Sequence, residues 1–323
     1  MGAGCKLAGF FLGVDGGASK TEVELIGDDG TRLAEASGPG TTLHEPVTAE
    51  TLDRLTDLIA ETCDLGGITR DQLSFAGLGL SGVDFGDELA EQRELLFPRI
   101  GIAEERAALV NDGVVALWGG SAEPRTVVLQ VGSAFTAAYR DAYGNEQPFD
   151  HHNLGQVVEL RRDLLMFVAR ALDGREPDSA LVGLVLNHFG IAVPDEYRRM
   201  LVRRTFDWTL ARRVVDVLGP ALEQGDEAAR AMIERTAEAY SDDIACMIGK
   251  LGEKQGPVDV VLGGGMLRHA PAALREGIAA RVSDRHPEAT IHEPLLPPAV
   301  GGAVMAAHRA GEDVRVLYER LTE

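Results

Sequence analysis

The stretch that most constrains the fold of this chain lies near its start, where an apolar run ends in a glycine-rich turn. Residues 9–14 are apolar or glycine, residues 15–21 are Asp-Gly-Gly-Ala-Ser-Lys-Thr, and residues 22–26 alternate polar with apolar. Short apolar or alternating runs separated by glycine and polar residues are typical of strands joined by a tight turn. We therefore expect a hairpin here, with a second turn at residues 28–30.

The residues of this first turn suit a phosphate group. Gly16 and Gly17 allow positive φ and carry no Cβ, so successive backbone N–H groups can point into one concavity and bind phosphate oxygens. Asp15 is placed to hold a hydrated Mg²⁺, and Lys20 and Thr21 to meet the phosphate itself. A glycine-rich hairpin with exposed polar residues explains the stretch equally well, so the turn alone leaves both interpretations open.

Length and charge bound the class of protein. A chain of 323 residues exceeds what one hydrophobic core usually supports, so we expect two domains. The formal net charge is -20, and such an acidic surface repels nucleic acid and anionic lipid, so neither is expected as a partner. A nucleotide substrate would be repelled too, unless a divalent cation offsets its charge locally.

Cysteine usage and hydropathy predict a cytoplasmic protein without a membrane span. Cys5, Cys63 and Cys246 are few, odd in number and far apart, which indicates free thiols in a reducing compartment. The first apolar run ends at the Gly16 turn, too early for a secretory peptide. No apolar run reaches the ~18 residues that a membrane helix needs.

Strand and helix patterns alternate after the first hairpin, as in an α/β domain. Residues 73–80 form a predicted strand that runs into a loop containing Gly82, and residues 107–110 form a short buried strand that stops at Asn111 and Asp112. Ligands of α/β domains bind beyond the carboxyl ends of the strands, which is where Asp112 falls. Its position alone favours the simpler role of a helix N-cap, for which aspartate is among the preferred residues.

The pattern restarts in the second half of the chain. A strand, a glycine turn and a second strand over residues 126–140 mirror the spacing of residues 10–30, and such an internal repeat predicts two similar domains facing one another across a cleft. We assign residues 1–119 to an N-terminal lobe, completed by a C-terminal helix at 312–323. Residues 120–311 form the second lobe, which contains a helical insertion.

A late glycine run gives the second lobe its own candidate ligand site. The apolar strand 258–262 is followed directly by Gly263, Gly264 and Gly265. Glycines at a strand-to-helix junction let the backbone lie against a flat ligand or a phosphate. A close-packed turn without a ligand explains the same residues.

Six segments in this order resemble the N-acetylglucosamine kinase-like branch of the actin/hexokinase/Hsp70 ATPase superfamily, a group that also contains the BadF/BcrA-type ATPases. The resemblance runs nearly from end to end of the chain. It implies two actin/ribonuclease-H-like lobes, each a mixed five-stranded sheet flanked by helices, that close on ATP, Mg²⁺ and a sugar. The segments that carry it are residues 15–21, 79–83, 111–112, 132–133, 263–265 and 298–303.

The resemblance also implies roles for individual residues. It makes Asp112 the general base that takes the proton of the sugar hydroxyl, and Asp15 the residue that holds Mg²⁺ through water. The adenosine pocket would be lined by Gly263, Gly264 and Gly265. The residues implied to bind phosphate are Gly16, Gly17, Ser19, Lys20, Thr21, Gly132 and Ser133. The residues implied to bind the acceptor are Thr42, Gly82, Asn111, Asp112, Val131 and Gln156.

The chain departs from the family pattern on the acceptor side. Val131 stands where relatives carry a hydroxyl in Gly-Thr-Gly-Ser, Gln156 lies nearest to the position of an acidic residue that contacts sugar hydroxyls, and Thr42 stands near the position of a loop asparagine. A site built for one pattern of hydroxyls leaves polar groups unpaired with another, so these changes predict an altered acceptor preference.

Two functions follow as hypotheses. The first is an ATP-dependent, Mg²⁺-requiring kinase acting on a hydroxyl of a sugar or amino sugar, such as N-acetylglucosamine, glucosamine or a related polyol. The alternative is a nucleotide- or sugar-binding sensor or scaffold that has lost transfer. The family analogy adds a homodimer as the expected assembly.

Overall fold

The first half of the chain folds around a mixed five-stranded sheet with the strand order β3-β2-β1-β4-β5. The computed structural model describes residues 9–43, 47–132, 135–149, 159–252 and 256–323. The strands are β1 Phe10–Gly16, β2 Thr21–Gly27, β3 Arg32–Gly38, β4 Phe75–Leu80 and β5 Ala107–Val110. The hairpin predicted at the start of the chain is confirmed, because β1 and β2 pair antiparallel from Phe10 opposite Gly27 to Gly16 opposite Thr21.

The register of the parallel strands fixes where a ligand can bind. Strand β1 pairs in parallel with β4, and β4 pairs in parallel with β5. Asp15 lies opposite Gly79, which in turn lies opposite Val110. The carboxyl ends of β1, β4 and β5 therefore meet at one edge of the sheet, where ligands of such sheets bind.

Two helices cover one face of this sheet, α1 Ala49–Leu65 and α2 Leu89–Ile100. The side chain of Thr48 caps α1 by accepting a bond from Thr51 N. The helix buries Leu52, Leu55 and Leu58, whose spacing of three places them on one face. These leucines pack with the apolar side chains of β1 and β4 in a single core cluster.

The second half of the chain contains a second five-stranded mixed sheet, with the order β10-β9-β6-β7-β8. Its strands are β6 Thr126–Val131, β7 Phe135–Arg140, β8 Glu146–Pro148, β9 Val258–Gly263 and β10 Ala289–His292. As in the first sheet, an antiparallel hairpin of β6 and β7 continues into parallel partners, here β9 and β10. The predicted repeat of the strand-turn-strand unit is thus confirmed, and so is the fold of two mixed sheets flanked by helices.

Helices fill most of the chain between β8 and β9 and pack with the second sheet in the largest core cluster. They are α4 Leu160–Leu172, α5 Ala180–His188, α6 Pro194–Arg203, α7 Trp208–Arg213, α8 Leu218–Glu223 and α9 Glu227–Lys250, followed after β9 by α10 Gly265–His269 and α11 Ala272–Arg285. Among the described residues, no helix is both long and apolar enough to cross a membrane.

Two helices join the sheets, α3 Asp112–Gly120 and α12 Pro298–Arg309. They approach so closely that a Cβ on Gly301 would lie 2.1 Å from Gly119 N. Helix α12 also packs on β1, where a Cβ on Gly13 would lie 2.0 Å from Ala299 O. By these contacts α12 lies against the first sheet, although the sequence-based boundaries assign it to the second lobe. The last helix, α13 Val314–Leu321, follows it and packs in the same cluster of apolar side chains.

Candidate functional site

Asp15 lies at the carboxyl end of β1, directly opposite Glu22 of β2. Burial and, to a smaller extent, the charge of Glu22 raise the pKa of the Asp15 carboxyl from 3.8 to about 7, against the opposing effect of Lys20. The Lys20 ammonium donates to Glu22 Oε1 at 2.6 Å. A cation beside Asp15 would favour its charged form and offset the cost of burying it.

The donor set at Asp15 fits Mg²⁺ only in one of its usual modes. Among the described residues, no group of three or more His, Cys, Asp or Glu side chains is placed to hold a metal. Mg²⁺ usually keeps several waters and binds through one or two carboxylates together with substrate phosphates. A single partly buried carboxylate at the end of β1 suits that mode, so Asp15 fits a cation that arrives with a nucleotide.

The two glycines of the turn differ in how closely they are packed. Neither Gly16 nor Gly17 adopts the positive φ that glycine allows. A Cβ on Gly16 would lie 2.4 Å from Leu80 Cδ2 and 2.9 Å from Thr41 Oγ1, whereas one on Gly17 would meet only Lys20 O, at 3.5 Å. Close packing therefore requires glycine at position 16, whereas position 17 has room for a Cβ and its N–H donates to Lys20 O at 3.0 Å.

The structure corrects the role predicted for Thr21. This side chain is fully buried, and its hydroxyl lies 2.8 Å from Thr41 Oγ1, so it packs inside the sheet instead of facing a phosphate. Ser19 and Lys20 are the exposed polar residues of the turn. Thr42, predicted to bind the acceptor, donates from its hydroxyl to Ser81 O at 3.0 Å and anchors its loop beside the end of β4.

Asn111 and Asp112 follow β5 and start helix α3. The N-cap is Asn111, because its Oδ1 accepts from Gly113 N at 2.7 Å, so the capping role considered for Asp112 belongs to its neighbour. Asp112 is partly exposed in the first helical turn, where the helix dipole stabilises a carboxylate. Asn111 Nδ2 donates to Asp84 Oδ1 at 2.9 Å, which brings a second acid to the same place.

Asp84 is the functional candidate that the sequence analysis missed. It directly follows residues 79–83, which contain the end of β4 and the turn after it. In that turn Gly82 has φ of 92°, and its carbonyl oxygen accepts from Gln92 Nε2 at 2.6 Å. The available signal was an acid one residue beyond a glycine-containing loop at a strand end. The contact with Asn111 shows what the sequence did not, namely that the loops after β4 and β5 meet.

The glycine run of the second sheet lies at the corresponding edge. Gln130 of β6 lies opposite Gly263 of β9, so the residues after both strands are neighbours. Gly264 has φ of 94°, and a Cβ there would lie 2.4 Å from Val131 O, so only glycine fits. Gly265 begins α10, and a Cβ at that position would contact nothing within 4 Å.

A cavity of about 710 Å³ extends from the first hairpin turn to these residues of the second sheet. Ser19 lies on its first-lobe side and Val131 on the second. The other lining residues are Phe135, Glu159, Leu160, Arg161, Arg162, Leu165, Met166, Leu201, Arg204, Phe206, Ala211, Arg212, Tyr240 and Met266. The volume is in the range of small-molecule sites. Gly132, next to Val131, accepts a bond from Arg161 through its carbonyl.

The predicted site residues thus form two groups. The first group lies at or just after the ends of strands of the first sheet and comprises Asp15 to Lys20, Thr42, Gly82, Asn111 and Asp112. The second lies at or just after the ends of strands of the second sheet and comprises Val131, Gly132 and Gly263 to Gly265. The cavity connects the two groups through Ser19 and Val131. Ser133 and Gln156 lie outside the described residues.

Comparison with known proteins gives three results in agreement. Residues 12–306 match the BadF/BadG/BcrA/BcrD ATPase family. An N-acetyl-D-glucosamine kinase of Dictyostelium discoideum is 21% identical over 316 residues, covering 92% of this chain and 97% of that protein. Among solved structures, the fold is similar to that of a candidate N-acetylglucosamine kinase from Chromobacterium violaceum, with a TM-score of 0.64, 22% identity, and coverage of 92% of this chain and 98% of the other.

A further solved structure has the same fold at lower sequence identity. It is a glucokinase of the ROK family from Streptomyces griseus, determined in complex with glucose and AMPPNP. Its TM-score is 0.61 at 17% identity, and the match covers 93% of this chain and 100% of the glucokinase. At these identities the structural matches establish the fold of two sheets and two lobes.

Proposed function

This chain belongs to the BadF/BadG/BcrA/BcrD ATPase family, and we propose that it is an ATP-dependent kinase for a hydroxyl of a sugar or amino sugar. The acceptor class comprises N-acetylglucosamine, glucosamine and related polyols. The observation that carries the proposal is the register of β1, β4 and β5, which places Asp15 of the phosphate turn and Asp112 after β5 at one sheet edge. In-line phosphoryl transfer needs mainly a base, charge neutralisation and positioning, and this edge offers each of them.

Asp112 is the proposed general base. It accepts the proton of the acceptor hydroxyl while that oxygen forms a bond to the γ-phosphorus and the bond from this phosphorus to the bridging oxygen of ADP breaks. Asn111 fixes the start of α3 through Gly113 N and ties it to Asp84, so the base sits on a held helix end. Asp84 and the loop at Gly82 are then placed to bind other hydroxyls of the acceptor.

The donor phosphates are proposed to bind between the two hairpin turns. The hydroxyl of Ser19 and the ammonium of Lys20 would face them from the first lobe, and the backbone at Gly132 from the second. Asp15 would hold Mg²⁺ through water, and the cation supplies charge neutralisation on the phosphates. Gly265, where a Cβ would meet nothing within 4 Å, leaves room after β9 for the adenosine end of the donor, beside Met266 of the cavity.

One observation favours the alternative of a sensor or scaffold that binds nucleotide or sugar without transfer. Two residues predicted to bind the acceptor have structural contacts instead. The Thr42 hydroxyl donates to Ser81 O, and the side chain of Val131 is only 6% exposed. A chain that keeps Asp15, Asp84 and Asp112 at one edge nevertheless retains the groups that transfer requires. The kinase is therefore the better-supported function.

The test is ADP release from Mg·ATP with hexoses, amino sugars, N-acetylated amino sugars and cyclitols as acceptors. Asp112→Asn should lower kcat by about 10²–10⁴-fold, the usual contribution of a general base, with ATP affinity by calorimetry unchanged. Asp57→Asn, an exposed acid of α1, is the matched control and should retain full turnover. Normal turnover of Asp112→Asn would refute the role of this base, and ATP binding without acceptor-dependent release would favour the sensor.

A further inference from the structure

The wall of the 710 Å³ cavity carries a charge opposite to that of the chain as a whole. The sequence has 51 acidic and 31 basic residues, yet the cavity lining contains Glu159 as its only described acid and four arginines. The arginines are Arg161, Arg162, Arg204 and Arg212. Like charges around one concavity repel, and clefts lined with one sign of charge concentrate ions of the other sign. The lining therefore indicates an anionic ligand.

Three of these arginines have their charge available for a ligand. Within the described ranges, the guanidinium groups of Arg162, Arg204 and Arg212 make no hydrogen bond and no ion pair, whereas an arginine such as Arg198 on the same helical region pairs with Asp195. Arg161 donates to the carbonyl oxygen of Gly132. Burial lowers the pKa of Arg161, the charge of Glu159 raises it, and the charge of Arg212 lowers it. Glu159 is thus the acid of the described lining that acts on this cluster, and it offsets the charge of four arginines only in part.

The backbone of Arg204 fixes the point from which its side chain reaches the cavity. Its φ is 53°, and no other non-glycine residue in the described part of the chain has positive φ. It follows the last residue of α6, where Thr205 N donates to Met200 O at 3.1 Å and closes the helix end around a left-handed residue. Glycine is the usual choice at such a position, and a left-handed non-glycine residue costs about 1 kcal/mol or more. The side chain of Arg204 lines the cavity.

The rest of the lining suits stacking better than base recognition. It contains the partly exposed rings of Phe135 and Phe206, whereas Tyr240 is buried and packs against Phe135 with the ring centroids 6.0 Å apart. Apart from the arginines, the described lining residues that can pair with a base edge are Ser19 and Glu159. Stacking on aromatic rings tolerates every base, because each base has a π face.

We propose that this cavity selects the phosphoryl donor by phosphate charge and stacking, with Arg161, Arg162, Arg204 and Arg212 as specificity-determining residues and with little discrimination between bases. The inference rests on the proposed function, since Ser19 of the phosphate turn lines the same cavity and connects it with the reacting end of the donor. The donor class is therefore nucleoside triphosphates in general. Inorganic triphosphate, which shares the charge and lacks the base, should compete for the site.

The test measures binding by calorimetry with the full chain and Mg²⁺. The ligands are ATP, GTP, UTP, inorganic triphosphate and adenosine. The three nucleotides should bind within about tenfold of one another, inorganic triphosphate should displace ATP, and adenosine should bind more weakly than any triphosphate. Arg204→Gln and Arg212→Gln should each weaken all triphosphates by about tenfold, as expected for loss of one charged hydrogen bond.

Two further variants separate a ligand role from a structural one. Arg203→Gln is the matched control, because Arg203 is also exposed and without an ion pair within the described ranges but lines a different, smaller cavity. This variant should bind triphosphates as the wild type does. Arg204→Gly should lose the same affinity as Arg204→Gln while its melting temperature does not fall, because glycine relieves the left-handed backbone.

The inference is overturned if one base is preferred by more than about 100-fold, which stacking alone does not provide. Equal losses in Arg203→Gln and Arg204→Gln would overturn it as well. Failure of the proposed function is distinguishable, because donor binding as described without phosphorylation of any acceptor would refute only the kinase. Acceptor-dependent ADP release that requires Asp112, together with unchanged donor binding in the arginine variants, would refute only the role of the arginines.

Discussion

Single residues decide the chemistry of the first sheet edge, and Asp15 is the most informative of them. Burial and the charge of Glu22 raise its pKa to about 7, so at neutral pH this carboxyl is divided between its two forms. A cation that binds there requires the charged form. The protonation of one residue therefore connects pH, nucleotide affinity and the stability of the hairpin.

Affinity for Mg·ATP should fall as the pH drops below about 7, because the proton and the cation compete for Asp15. The expected slope is up to tenfold per pH unit beyond that of the nucleotide, whose terminal phosphate titrates nearby. Calorimetry from pH 5.5 to 8.5 on the wild type and on Asp15→Asn isolates the contribution of the residue. Equal slopes in both proteins would show that Asp15 does not contact the cation.

The substitution Asp15→Asn, which should weaken Mg·ATP binding, should stabilise the folded protein. A carboxyl whose folded-state pKa lies above its unfolded value of 3.8 binds protons more tightly in the folded state, so its contribution to stability declines as the pH rises from about 4 to 7. Asp15→Asn should therefore melt at a higher temperature than the wild type at pH 8, and the difference should shrink towards pH 4. A variant less stable at pH 8 would contradict this account.

Asn111 should prove to be a positioning residue with two separable contacts. Asn111→Ala removes the cap on Gly113 N and the bond to Asp84, and loss of an N-cap alone costs about 0.5–2 kcal/mol in the free energy of unfolding. Asn111→Ser keeps a capping oxygen and loses the reach to Asp84, so it should recover most of the stability but little of the acceptor affinity. Urea unfolding and the KM for the acceptor report the two effects separately.

Residue types at strand ends could be predicted from the sequence, whereas their orientation could not. Asp15 and Asp112 were found because an aspartate lies within two residues of the end of an apolar run, a pattern that the sequence alone displays. The burial of Thr21 against Thr41 and the contact of Asn111 with Asp84 join residues 20 and 27 positions apart. Such contacts depend on which loops the sheet register brings together, and spacing along the chain does not contain that information.

At the scale of elements, glycine lets the two connecting helices touch. Helices α3 and α12 meet where a Cβ on Gly301 would lie 2.1 Å from Gly119 N and 2.4 Å from Val115 O. Both contacts are with backbone atoms, which cannot move aside as a flexible side chain can. The hairpins and the helical spacing were predictable because each depends on local pattern. The place of α12 against β1 was not, since nothing in a small-residue helix identifies its partner.

Gly301→Ala should therefore destabilise the protein by about 1–3 kcal/mol or more, as overpacking in a close-packed interior does. Gly183→Ala in α5 is the matched control, because a Cβ at Gly183 would meet nothing within 4 Å. That substitution should stabilise by up to about 1 kcal/mol through helix propensity. Thermal and urea unfolding of both variants measure the contrast, and a neutral Gly301→Ala would mean that the helices can separate freely.

At the scale of the whole molecule, the two sheets are joined by buried polar contacts around Trp118 of α3. Its indole donates to Glu146 Oε1 of β8, and the guanidinium of Arg140 lies 4.5 Å from its ring. From the C-terminal helix, the Tyr318 hydroxyl donates to the carbonyl oxygens of Trp118 and Ser121. The last helix of the chain thus binds the end of the helix that begins at Asp112, and it links the C-terminus to the connection between the lobes.

Tyr318→Phe should reveal the contribution of this link to cooperativity. The variant keeps the ring that packs in the apolar cluster and removes only the hydroxyl, which leaves the Trp118 carbonyl without that donor and should cost about 1–3 kcal/mol in the free energy of unfolding. The Ser121 carbonyl retains Arg140 as a donor, at 3.0 Å, so the loss is confined to one group.

The control is Tyr143→Phe, because the Tyr143 side chain is 74% exposed, and this variant should unfold as the wild type does. Because Trp118 contacts the second sheet and shares an apolar cluster with Phe11 and Ile26 of the first, Tyr318→Phe should shift a single unfolding transition. A second transition appearing in its place would show that the C-terminal helix couples the two lobes, and an unchanged curve would show that the hydroxyl contributes nothing to their association.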